Sequence, residues 1–160
     1  MIKWKEGFTL IEIIIGTAIM AIVFTSGIAA FRRFDDRQQI VNAGRELIVT
    51  IRDVQKRAQS GEKPKECNSL DGWALRKDTG QDEYRIAAIC SGLEANSSIQ
   101  TKALLGNVEF IQSSFNFVFN VISGEVTNPG TLSVSNADGT LIYEIEISGA
   151  GGVNDLGIRD

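Results

Sequence analysis

Histidine is absent from the 160 residues, which removes both the commonest general base and the commonest protein ligand for transition metals. Cysteine is nearly as scarce: Cys67 and Cys90 cannot make an ordinary zinc site alone. Serine-bearing stretches such as SGEVTNPGTLSVS therefore have no imidazole to activate a nucleophile. The glycine-rich GAGGVND lacks the strand–turn–helix setting that a phosphate loop needs. No enzyme is expected, and neither a cofactor nor a metal. Proline occurs only at positions 64 and 129, so nothing of that kind interrupts residues 8 to 60. Charge is missing from one long stretch: from Phe8 to Phe31 the only ionisable side chain is Glu12.

That stretch of 24 residues would extend roughly 36 Å as a helix, enough for a hydrocarbon layer of about 30 Å. Lys3 and Lys5 precede it and favour a cytoplasmic N-terminus, although Arg32, Arg33 and Arg37 follow and weaken the asymmetry. The three arginines read as a solvated or headgroup-contacting face, with filament salt bridges as the sharper alternative. A cleavable secretory signal would have a shorter apolar region, and SGIAA only imitates its cleavage site. A plain signal anchor accounts for the length but gives no reason for Glu12. A carboxylate at mid-bilayer costs about 2.5–3.5 kcal/mol, less near the interface, so it needs either a partner or a place among headgroups.

The residues Gly7-Phe8-Thr9-Leu10-Ile11-Glu12 resemble the processing site of type IV pilins and type II secretion pseudopilins: a short basic leader ending in glycine, then phenylalanine, then an apolar helix with glutamate at its fifth position. The resemblance is close over residues 1 to 30. It implies cleavage between Gly7 and Phe8 by a prepilin peptidase, N-methylation of Phe8, and a discarded leader of residues 1–7. It also implies that Glu12 pairs with the α-amino group of a neighbouring subunit and sets assembly register. Buried polar groups elsewhere act on specificity more than on stability in this way.

Beyond the apolar run the period changes. Phe31, Phe34, Ile40, Val41, Leu47, Ile48, Ile51, Val54 and Ala58 recur at helical spacing with charged residues between them, an amphipathic stem over residues 31–60. Together with the apolar segment 8–30 it can form one helix of roughly 50 residues, with Gly16, Gly27 and Gly44 as soft points. SGEKP at 60–64 supplies the stop. Residues 61–160 then read as a β-rich head of about six short strands. GWALRKD and EYRIAAICS form a hairpin, NVEFIQ a third strand, and FNFVFNV alternates with Phe115, Phe117, Phe119 and Val121 on one face. GTLSVSN and TLIYEIEIS flank the turn Asp138-Gly139. In the last of these, Tyr143, Ile145 and Ile147 point one way, and Glu144 and Glu146 the other, toward solvent. GAGGVNDLGIRD reads as a glycine-rich tail or a final edge. The fold class is therefore α+β, a long N-terminal helix packed against an antiparallel sheet, as in pilins.

Cys67 and Cys90 both fall in the part expected to be exported, where an oxidising compartment permits a disulfide; free buried thiols or a metal remnant are the alternatives. Charge is segregated too. Nine Lys or Arg stand against five Asp or Glu from Phe31 to Lys65, and five against thirteen from Glu66 onward. The acidic head argues against generic DNA binding, though a basic patch on the stem keeps DNA as a conceivable partner.

The layout of the head is similar to that of H-type minor pseudopilins and related minor pilins, and no calcium-binding loop of the major pseudopilin kind is evident. The resemblance implies a subunit of the inner membrane, head outside the cytoplasm, assembled with other pilin subunits into a filament of the periplasm or cell surface, or capping one. Secretion, adhesion, motility and DNA uptake are all uses of such filaments. A membrane-anchored binding module for a surface, a secreted substrate or DNA is the alternative function.

Overall fold

The computed structural model describes residues 9–80 and 83–159, the side chains of 25–30 excepted. The leader 1–7 and Phe8 lie outside the described residues. Two units divide the chain, one ending at Asp36 and the other beginning at Arg37.

In the first unit the described backbone is the N-terminal part of α1 (Leu10–Gln59), a helix of 50 residues as the absence of proline predicts. Among the described residues no helix is long and apolar enough to cross a membrane. The expected span of 8–30 includes Phe8 and the side chains of 25–30, which lie outside the described residues.

The second unit holds the rest of α1 and the strands. They are β1 (Leu70–Lys77), β2 (Glu83–Cys90), β3 (Leu93–Glu94), β4 (Gln100–Ala103), β5 (Val108–Phe110), β6 (Phe115–Asn120), β7 (Val126–Thr127), β8 (Gly130–Asn136), β9 (Ile142–Ile147) and β10 (Val153–Arg159). All pairings are antiparallel, and they build two sheets where the sequence suggested one. Six strands run β3-β2-β1-β6-β7 with β4 beside β2, and four run β10-β9-β8-β5. The count exceeds the six expected because short strands recruit segments with no alternation of their own: all four residues of β4 are exposed. The terminal glycine-rich segment is an edge strand, β10, paired with β9 through a bulge between Asp155 and Gly157.

The core lies between α1 and the inner faces of the sheets. Ile40, Ala43, Leu47, Ile51, Val54 and Ala58 follow one another at three or four residues, a single stripe, and all are buried. Trp73, Leu75, Phe117 and Phe119 from the six-stranded sheet and Leu132, Val134, Tyr143, Ile145 and Ile147 from the other complete the cluster. Strand alternation puts these on one face, as expected for the phenylalanines of β6 and for β9. Gly44 lets the helix approach β9: a Cβ there would stand 2.7 Å from Cγ of the Tyr143 ring and closer to Cδ1 and Cε1. The helix stops where SGEKP places the stop. Gly61 takes φ 66°, Glu62 N–H donates to Arg57 O at 3.0 Å and Gly61 N–H to Ala58 O at 3.1 Å, the reciprocal pair of a Schellman cap.

Candidate assembly site

Of the residues singled out in the sequence, Gly7 and Phe8 lie outside the described residues, and Glu12 is the third residue of α1. The backbone N–H of Glu12 donates to Thr9 Oγ1 at 3.3 Å and to Thr9 O at 3.1 Å. Thr9 is thus the N-cap and Glu12 occupies the N3 position, where a carboxylate also meets the positive end of the helix dipole. This gives Glu12 a local role that sequence reasoning missed, although Thr9-x-x-Glu12 has the capping-box spacing that could have announced it. Its carboxylate opens a strip along one helix face with Ile13, Gly16, Thr17, Met20, Ala21 and Phe24. Every large apolar side chain of this region, from Leu10 and Ile11 to Val23 and Phe24, is more than half exposed. Phe31, Phe34, Arg32, Arg33 and Arg37 are exposed as well. From Leu10 to Phe24 the exposed surface is unbroken by charge except at Glu12, so burial against other apolar surface is favourable for this part of the helix.

In the head, Cys67 and Cys90 form a disulfide with Cα atoms 5.5 Å apart. It ties the segment after α1 to the end of β2, and resolves the alternatives left by the sequence. Glu144 and Glu146 lie on the outer face of the four-stranded sheet, as β9 alternation predicts. Arg159 Nε reaches Glu144 at 2.8 Å and Asn154 Nδ2 donates to Glu146 at 3.0 Å.

The outer face of the six-stranded sheet carries an ion cluster that no sequence motif announced. Arg76 and Arg85 are cross-strand neighbours on β1 and β2, a repulsive pairing on its own. Asp78 resolves it by bonding both guanidiniums, and Arg76 continues to Glu94 at 2.6 Å. The hydrogen bond from Arg76 holds the Asp78 carboxyl below its ordinary range, and that to Asp78 raises Arg76. Ala74 and Ala87, paired across the same strands, are fully buried under this layer.

Burial shifts both tyrosines. Tyr84 is pushed up by desolvation although a hydrogen bond with Thr50 opposes it. Tyr143 is pushed up to about 12 by desolvation and by the neighbouring Asp155. A cavity of about 360 Å³ between β4 and β5 is lined by Lys77, Asn107, Glu109 and Phe110. The Lys77 ammonium is engaged structurally, donating to Ser113 O at 3.0 Å. Among the described residues no group of three or more His, Cys, Asp or Glu is placed to hold a metal ion. Compared with family models, curated proteins and solved structures, the chain gives no match.

Proposed function

We propose that this chain is a minor pilin or pseudopilin of the H type: a structural subunit without catalysis, inserted in the inner membrane with its head outside the cytoplasm, cut by a prepilin peptidase, and built into or capping a type IV pilus-like filament. The observation that carries the reading is the stretch Gly7–Glu12 at the start of a 50-residue helix whose apolar side chains from Leu10 to Phe24 are exposed. Cleavage after Gly7 creates an amine on Phe8. Glu12 then has a cation to meet on a neighbouring helix, while its own backbone remains capped by Thr9. Apolar helices packed side by side supply the association, and the carboxylate–amine pair fixes register. The disulfide agrees with an extracytoplasmic head, since such bonds persist in oxidising compartments.

Intact mass of the protein purified from membranes tests the processing. It should fall by residues 1–7 and rise by one methyl group; retention of Met1–Gly7 would refute the reading. Glu12→Ala should leave insertion and the disulfide intact while filament incorporation is lost, and normal incorporation would remove the register role.

A further inference from the structure

The second unit separates charge by side. On α1, Arg45, Val49, Arg52 and Lys56 follow at four, three and four residues, a ridge on the side of the helix opposite the buried stripe Leu47, Ile51, Val54 and Ala58. Its centre is apolar: Val49 is 67% exposed among the three cations. Of the acids on the ridge's flank, Asp53 is engaged with Arg57 at 2.9 Å, and Glu46 is half-buried on the side toward Tyr84. Across the molecule, the outer face of the four-stranded sheet carries Glu109, Glu144 and Glu146 against one cation, Arg159. The outer face of the six-stranded sheet differs, because Arg76 and Arg85 are neutralised within it by Asp78 and Glu94.

Helix and sheets share one core, so the basic ridge and the acidic sheet face point away from each other and cannot meet within one chain. We propose that they meet between chains: the Arg45–Lys56 ridge of one copy docks on the outer face of the four-stranded sheet of a second copy. The ridge is about 16 Å long. Glu109 is level with Ile142 through Ser135, so the carboxylates spread over about 10 Å across strands and about 13 Å along them, a matching size. Because two different surfaces engage, the contact is heterologous and propagates head to tail as an open array. This deepens the reading of a subunit built into the filament, not of one capping it, and rests on that reading for holding copies side by side. The ionic contribution weakens with salt, while Val49 gives the contact a dry centre.

Cysteine cross-linking of the full chain in membranes tests this. The native cysteines are bonded to each other, so Val49→Cys and Thr131→Cys, the latter opposite Glu146 on β8, are the reporting thiols. A chain carrying both should give a ladder of covalent oligomers under mild oxidation, and each single-cysteine chain none. Arg52→Glu with Lys56→Glu should abolish the ladder, as should Glu109→Lys with Glu146→Lys. Coexpressing the two reversed chains should restore it, which a folding defect would not allow. No ladder, a ladder indifferent to charge reversal, or no rescue by the mixed pair overturns the inference. So does retention of duplex DNA or anionic vesicles by the ridge without a ladder, which would make the partner a polyanion. The intact mass of the same sample separately decides the processing, so failure of the interface and failure of the filament reading are told apart.

Discussion

Gly44→Ala should destabilise this protein although alanine is the better helix former by about 1 kcal/mol. The new Cβ would stand 2.7 Å from Tyr143 Cγ and nearer to two other ring carbons, against an ordinary carbon–carbon separation of about 3.5–4.0 Å. The ring would have to retreat by about 1 Å. It is 3% exposed and its neighbours Ile145 and Ile147 are 1% exposed, so there is no free space to retreat into. Overpacking of this kind costs about 1–3 kcal/mol, and a clash with a rigid ring belongs at the upper end. The net loss is then about 1–2 kcal/mol after the propensity gain. Thermal unfolding of the full chain in mild detergent, followed by Trp73 fluorescence with Trp4→Phe as background, should show Tm lowered by about 2–8 °C. With Tyr143→Ala the obstacle is gone, and Gly44→Ala should raise stability by about 1 kcal/mol. A rise in Tm from Gly44→Ala in both backgrounds would refute the packing argument.

Reducing or removing the Cys67–Cys90 bond, which spans 23 residues, should cost about 3 kcal/mol in the chain-entropy model, read from denaturant midpoints with and without reductant. Asp78, with its folded pKa depressed, contributes stability that is fully present above the ordinary aspartate value of about 3.9 and is lost as pH falls through the folded value. Asp78→Asn should therefore flatten the acid limb of a stability–pH profile and destabilise at neutral pH, where Arg76 and Arg85 are left opposed; an unchanged profile would count against the cluster. Tyr84 and Tyr143 are the only tyrosines, and both are raised. Their contribution is complete below pH about 10 and is lost as pH rises through the folded values, about 12 for Tyr143. Tyrosinate absorbance should thus appear only above pH 10 and together with unfolding, whereas a reversible native titration near 10 would contradict the burial.

Several features were legible in the chain because their causes are local. The helix from Leu10 to Gln59 follows from helical spacing and the absence of proline, and its end from Gly61, whose left-handed conformation closes the cap. Asp138-Gly139 does form the turn between β8 and β9, with Gly139 at φ 66°, Gly139 N–H donating to Asn136 O and Asn136 Oδ1 accepting from Leu141 N–H. Thr9-x-x-Glu12 carried its own cap, a signal overshadowed by the charge it places in an apolar run. The alternation of β6 and β9 fixed which side chains face inward, since one-sided burial leaves no freedom of register.

Other features needed the tertiary fold. Division into two sheets depends on pairings between segments far apart in sequence, β1 with β6 and β5 with β8, whose ladders are made by backbone groups that every residue carries. The segments 93–94, 100–103 and 153–159 have no apolar rhythm of their own and become strands because neighbouring strands offer them unpaired donors and acceptors. The sequence alone determined a long helix with one apolar stripe, a charge imbalance between stem and head, and the inward faces of the strongest strands, because these are properties of spacing and composition. Only the tertiary structure decided that Gly44 makes room for Tyr143, that Asp78 reconciles two arginines, that Cys67 meets Cys90, and that basic ridge and acidic sheet face opposite ways. Each is a relation between residues that the chain brings together only by closing its core.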